Sequence, residues 1–78
     1  MKPFYRVAKV EDVCPRCETK LHGHAVRMLE FDQRIDTWHD LVQVPPEFSQ
    51  GWFAFGLKCA KKQNKQAEIL LQKSGLIK

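Results

Sequence analysis

A chain of 78 residues has room for one domain, and a domain of this size buries a smaller share of its surface than a larger one does. Small domains are therefore often held together by disulfides, a metal ion or a partner subunit. Three cysteines cannot all pair within one chain, which argues against a framework of disulfides alone. No apolar run is long enough to span a bilayer, and no signal-like apolar segment follows residues 1–6, so we expect a cytoplasmic protein with no membrane partner.

The net charge of +4 comes entirely from the second half of the chain. Residues 1–40 contain seven Lys/Arg and seven Asp/Glu, whereas residues 41–78 contain six lysines and two glutamates. A basic surface at one end of a small protein suits an acidic partner, either nucleic acid or an acidic protein. We infer no small-molecule substrate from the sequence.

The predicted elements form a single domain over residues 1–78. A short strand at residues 4–10 comes first, where aromatic and β-branched residues alternate with basic ones. A turn containing two cysteines follows at residues 13–18. Residues from about 24 to 44 are expected to form a β-hairpin, which ends at the pair of prolines that follows. A short apolar strand bounded by glycines is predicted at residues 51–56.

The last predicted element is an amphipathic helix over residues 58–73, a stretch without Gly or Pro that is rich in strong helix formers. One arc of its helical wheel is expected to face the core: Cys59, Ala60, Ala67, Leu70 and Leu71. The opposite arc carries four lysines, which we predict to contact nucleic-acid phosphates: Lys58, Lys61, Lys62 and Lys65. An ordinary solvated helix presents a similar lysine-rich face, so this pattern alone does not identify a partner.

Cys14 and Cys17 form a Cys-Pro-Arg-Cys motif, a spacing typical of a zinc knuckle. The proline fixes the tight turn and leaves neighbouring backbone N–H groups free to bond the sulfurs. Cys59 is expected in the first turn of the helix, whose N-terminus would stabilise a third thiolate. Structural zinc takes four thiolate or imidazole ligands. We therefore predict one structural Zn²⁺ held by Cys14, Cys17, Cys59 and His39, with His24 as the alternative fourth ligand.

The order of knuckle, hairpin and a helix that begins with a ligand resembles the treble-clef class of zinc fingers, over residues 13–65. The glycine-rich segment 49–61 looks like the lead into the helix of small treble-clef-like proteins from bacteria and phages. This resemblance implies a zinc-stapled α+β domain of treble-clef or zinc-ribbon type. The chain departs from the pattern in one respect: a treble clef usually takes two ligands from its helix, but Lys62 and Gln63 follow Cys59 by three and four positions.

These features predict a non-catalytic, zinc-stabilised module that binds nucleic-acid phosphates through its basic helix. One alternative is a small regulatory or inhibitory protein that binds a protein target, if Trp52 and Phe53 face solvent. A second is a glutaredoxin-like thiol–disulfide oxidoreductase, in which the Cys14 thiolate attacks a disulfide and Cys17 resolves it. Only about thirty residues separate this dithiol from Pro45, which leaves little room for the helices and parallel strand of that fold.

Overall fold

A computed structural model describes residues 3–77 and shows one antiparallel sheet followed by one long helix. A single 3-10 turn precedes the last strand, at Pro46–Phe48. The predicted α+β class is confirmed. The elements are β1 (Phe4–Val7), β2 (Ala25–Asp32), β3 (Thr37–His39), β4 (Ser49–Gly56) and α1 (Leu57–Lys73).

β2 is the central strand of the sheet. β4 pairs along one of its edges, from Val26 opposite Gly56 to Asp32 opposite Ser49. β1 and β3 share the other edge, because β1 pairs with the first half of β2 and β3 with its last three residues. β3 can therefore pair only with the end of β2, which limits its length.

The second hairpin strand is shorter than the sequence predicts, since pairing ends at His39 instead of continuing toward Val44. At Asp40 the backbone N–H donates to Asn64 Oδ1 at 3.1 Å, and the carboxylate accepts two hydrogen bonds from Arg27, at 2.6 and 2.7 Å. These side-chain bonds replace the pairing of the backbone with β2. The chain therefore leaves the sheet at this residue.

The first strand also ends early, at Val7 rather than residue 10. Asp12 causes this change: its carboxylate accepts the backbone N–H of Lys9 at 2.8 Å and a guanidinium N–H of Arg6 at 2.7 Å. The backbone N–H of Asp12 in turn donates to Lys9 O at 3.1 Å. Residues 9–12 are thereby folded into a turn that leads directly to the knuckle.

β4 begins two residues earlier than predicted because a bulge lets the pairing continue past Gly51. The register with β2 shifts between Glu30 and Asp32, so β4 carries one extra residue there. Gly51 has φ of 95°, a left-handed conformation that glycine adopts at no steric cost.

α1 begins directly after β4 and packs against β2, β3 and β4. It ends at Lys73 and is followed by Gly75, which has φ of 77°; the N–H of Leu76 donates to Leu71 O at 2.9 Å, as in a Schellman motif. Five helix residues are buried, two of them polar: Ala60, Gln63, Asn64, Ala67 and Leu71. Within residues 3–77 no helix has both the length and the apolar content needed to cross a bilayer.

Aromatic rings fill the centre of the sheet. The Trp38 ring meets those of Phe31, Phe53 and Phe55 edge-on, with centroids 5.0, 5.9 and 5.5 Å apart. Such T-shaped pairs are favourable beyond the area that they bury. Phe55 is wholly enclosed, whereas Phe53 is 38% exposed and reaches the surface.

The buried carboxyl of Asp32 predicts acid sensitivity. Burial alone raises its pKa, but hydrogen bonds from Arg34 and His39 outweigh burial and lower the pKa to about 2, from an ordinary value of 3.8. A lowered folded-state pKa stabilises the protein above the unfolded pKa, and the stabilisation is lost as the pH falls through the folded one. We therefore expect the free energy of unfolding to drop by about 2 kcal/mol between about pH 5 and about pH 2 from this group.

The measurement is urea unfolding at stepped pH, comparing the natural chain with Asp32→Asn. The variant should be less stable near neutral pH. The difference in free energy of unfolding between the two proteins should decrease as the pH falls. Loss of a metal in acid would affect both proteins alike, so the difference isolates Asp32. Asp36→Asn, at an exposed position, serves as the control. A difference in free energy of unfolding that stays constant from neutral to acid pH would contradict the assigned role of Asp32.

Candidate metal centre

The turn that carries the first two cysteines is closed by backbone hydrogen bonds. The N–H of Cys14 donates to Thr19 O at 3.0 Å, and the N–H of Glu18 donates to Cys14 O at 2.8 Å. Glu18 has φ of 59°, in the left-handed region, which reverses the chain after the second thiol. Val13 and Lys20 then form a β-bridge at the open end of the turn.

The structure brings together the three predicted cysteine ligands. The Sγ atoms of Cys14, Cys17 and Cys59 all lie within 4.8 Å of one another, and all three are free thiols. Cys59 reaches the knuckle because β4 runs directly into the first turn of α1. Thiolates bound tetrahedrally to one ion at about 2.3 Å lie about 3.8 Å apart. The cluster therefore has the dimensions to hold a metal ion.

The pKa values of Cys17 and Cys59 are shifted in opposite directions. The hydroxyl and backbone N–H of Thr19, followed by the neighbouring Cys14 and Cys59, lower the pKa of Cys17 to about 7. Burial, followed by the sulfurs of Cys17 and Cys14, raises the pKa of Cys59 to about 11. A coordinated metal reverses this shift, because its charge allows all its thiol ligands to ionise.

His39 does not join the cluster, which corrects the first prediction for the fourth ligand. Its Nδ1 accepts the backbone N–H of Leu41 at 3.2 Å, and its Nε2 lies 2.8 Å from Asp32 Oδ2. A backbone N–H can only donate, so Nδ1 carries the lone pair and Nε2 donates its proton to the carboxylate. Both ring nitrogens are occupied and the side chain is wholly buried. The imidazole supports the hairpin instead of a metal.

His24, the alternative ligand, lies beside the cluster. It lines a groove of about 430 Å³ together with Cys17 and Cys59, and its side chain is exposed. Its ring nitrogens are outside the set of atoms that lie within 4.8 Å of one another. Coordination by His24 therefore stays a prediction.

Arg16, between the two knuckle cysteines, ties the knuckle to the helix, a role that the sequence analysis missed. Its guanidinium donates to Gln63 Oε1 at 3.1 Å, and the Gln63 amide donates to the hydroxyl of Thr37 on β3. The available signal was the position of Gln63 within the apolar arc of the helix, where a buried amide requires partners. Gln63, four positions after Cys59, is thereby engaged with Arg16 and Thr37.

The predicted lysine face is exposed to solvent along its length: Lys58, Lys61, Lys62 and Lys65. Among residues 3–77 the arginine–carboxylate pairs are Arg6 with Asp12, Arg27 with Asp40 and Arg34 with Asp32, and no lysine of this face forms an ion pair. The positive charge of these arginines is thus balanced within the fold. The charge of the helix lysines is not.

The chain matches no protein-family model, no curated protein and no solved structure.

The fold itself bears on the glutaredoxin-like alternative. That architecture needs parallel strands and a helix directly after the dithiol. In residues 3–77 every strand pairing is antiparallel, and no helix lies between Cys17 and β2. The described chain therefore lacks both features of that architecture.

Proposed function

We propose that the protein is a non-catalytic zinc module of treble-clef type that binds nucleic-acid phosphates through α1. The observation that carries the proposal is the face of four exposed, unpaired lysines on a helix whose opposite side is buried. Phosphate contacts of this kind depend on charge and on position along the backbone, and they need no pocket that reads bases.

Zinc is the metal that we assign to the cluster. A set of close thiolates favours zinc, copper(I) or an iron–sulfur centre over oxygen-seeking cations, and zinc is the usual metal of structural sites built on a Cys-x2-Cys knuckle. The ion would hold the Cys14–Cys17 knuckle against the start of α1, in the manner of a treble clef. His24 or a water molecule would complete its coordination.

The groove beside the cluster extends the basic surface. Lys58 belongs to the helix face and also lines this groove, together with Lys20 and His24. A phosphate backbone lying along α1 would therefore also meet Lys20 at the helix start. In this proposal the metal site fixes the angle between the knuckle and α1, and so the spacing of Lys20 from the helix lysines.

Replacing the four helix lysines together by glutamine is expected to remove most of the affinity for nucleic acid. Each phosphate neutralised contributes about 0.7 to 0.9 to the slope of log K against log salt, so the slope should flatten by about 3. Fluorescence anisotropy with a short DNA duplex and a short single-stranded RNA, between about 50 mM and about 200 mM salt, measures both quantities.

Lys9→Gln supplies the matched control, because it removes one exposed positive charge from the turn after β1. If the lysine face is the docking face, the slope of this control should change by well under about 0.7. An equal loss of slope per charge removed in the control and in the lysine-face variant would show general charge attraction instead of a docking face. If the natural chain shows no salt-dependent binding to either nucleic acid, the proposal fails.

A protein target is the second candidate, and exposed aromatic side chains favour it. Tyr5 is 55% exposed and Trp52 is 43% exposed, both on strands of the sheet. Aromatic residues of this kind anchor protein interfaces. Failure of nucleic-acid binding, with the fold intact, would favour this candidate.

A further inference from the structure

Glu30 differs from the other buried carboxylates of the described chain, which are Asp32 and Asp40. Asp32 is paired with Arg34 at 2.8 Å and Asp40 with Arg27 at 2.6 Å. Glu30 is only 8% exposed, yet no cationic side chain of residues 3–77 pairs with it. A buried carboxylate without a counter-charge is costly to the fold.

The contacts of Glu30 leave one of its oxygens free. The hydroxyl of Ser49 donates to Oε2 at 2.5 Å, whereas Oε1 makes no side-chain hydrogen bond within the described residues. Oε1 is also absent from the fully buried polar atoms that lack a hydrogen-bond partner, so this oxygen is accessible to solvent. His39, opposite Glu30 on β3, is hydrogen-bonded through Nε2 to Asp32 instead of Glu30.

This carboxylate lines an open cavity of about 650 Å³. Trp52 lines the same cavity and is the direct partner of Glu30 in the β2–β4 register, so both side chains project from the same face of the sheet. Its indole is 43% exposed. The remaining lining comes from the segment after β3: Leu41, Val42, Gln43 and Val44. The volume falls within the range of about 300 to 1,000 Å³ usual for small-ligand sites.

We propose that this cavity binds an organic cation, an ammonium or guanidinium group, between the Glu30 carboxylate and the Trp52 indole. Within residues 3–77 the carboxylate lacks the counter-charge that both other buried carboxylates have. Tryptophan offers the ring face most favourable to a cation. Leu41 and Val42 supply apolar wall against which the alkyl stem of such a group can lie. The site is separate from the cysteine cluster and from the lysine face.

The test is a titration of the whole protein with n-butylammonium and with n-butylguanidinium, followed by the Trp52 indole N–H resonance. The matched probe is n-butanol, which keeps the alkyl chain and lacks the charge. We expect a saturable shift with both cations, weakened by salt, and no comparable shift with the alcohol. Equal shifts with all three probes, or no saturable shift with either cation, would overturn the proposal.

Three variants locate the binding. Glu30→Gln keeps the shape and should weaken cation binding by about tenfold or more, which corresponds to about 1.4 kcal/mol. Trp52→Leu should weaken it by about twofold to fivefold, read from backbone amide shifts of residues 41–44. Glu47→Gln removes an equivalent charge from an exposed position outside the cavity and should leave the affinity within about twofold. Unchanged affinity in Glu30→Gln would refute the assignment. If that variant does not fold, Trp52→Leu and the comparison of probes still decide it.

A further comparison identifies the source of the cation. A glycine–serine peptide with one central lysine is titrated beside the same peptide with acetyl-lysine, which has no charge. Tighter binding of the lysine peptide than of n-butylammonium assigns the cavity to a basic side chain of a partner protein. Binding of the free amine alone assigns it to a small amine. Equal binding of the two peptides would count against a cation site.

Discussion

Protein purified without chelator is expected to carry close to one zinc ion per chain, and removing the ion is expected to unfold the domain. The three thiols join the knuckle to the start of α1, and Cys14 is wholly buried. Structural zinc contributes about 10 to 16 kcal/mol in small finger peptides, which is comparable to the whole stability of a domain, about 5 to 15 kcal/mol. Elemental analysis and thermal unfolding, with and without chelator, measure both effects.

Single substitutions test which side chains hold the ion. Cys14→Ser, Cys17→Ser and Cys59→Ser should each lower the metal content and the melting temperature. His39→Gln should keep the metal while losing stability, because His39 is bonded to Asp32. His24→Ala should weaken zinc affinity without abolishing the fold, and the exposed His22→Ala is its control. Folded protein that contains no metal as purified would be incompatible with a structural zinc site. The same holds for a melting temperature that chelator does not change.

The second large effect is expected from Asp40→Ala, which should lower the free energy of unfolding by about 3 to 5 kcal/mol. Asp40 accepts two hydrogen bonds from Arg27 and a third from the Asn64 amide at 2.8 Å. Its side chain is almost completely enclosed. Removing the carboxylate leaves the Arg27 guanidinium, itself largely buried, without its counter-charge.

Urea unfolding of metal-loaded protein measures this loss, with Glu68→Ala, at an exposed helix position, as the control. Replacing both partners, as in Arg27→Met with Asp40→Leu, should recover part of the stability, because no unpaired charge remains. A loss below about 1 kcal/mol in Asp40→Ala would place this pair among ordinary surface ion pairs.

Local patterns in the sequence were sufficient for several features. Residues 58–73 lack helix breakers and have an apolar arc, and the structure has a helix from Leu57 to Lys73. The Cys-Pro-Arg-Cys spacing and a cysteine at the helix start indicated a three-thiol cluster, and the three Sγ atoms do lie together. The helix and the knuckle turn depend on residues close in sequence, whose geometry is set by backbone preferences and periodicity. The cluster joins distant residues, and it was predictable because structural zinc requires several thiolate or imidazole ligands.

Other features depend on which groups meet only when the chain is folded. β3 is short because β1 occupies the same edge of β2, and the role of His39 follows from its contacts with Asp32 and Leu41. No local pattern contains that information.

The sequence by itself therefore determined the basic helix, the knuckle and the meeting of three cysteines. The tertiary structure decided that His39 is unavailable to a metal and that Asp40 is neutralised by Arg27. It also decided that Glu30 faces a cavity without a counter-charge in the described chain. The physical reason is that hydrogen bonding and charge pairing in the interior are settled by which side chains meet across the sheet and helix.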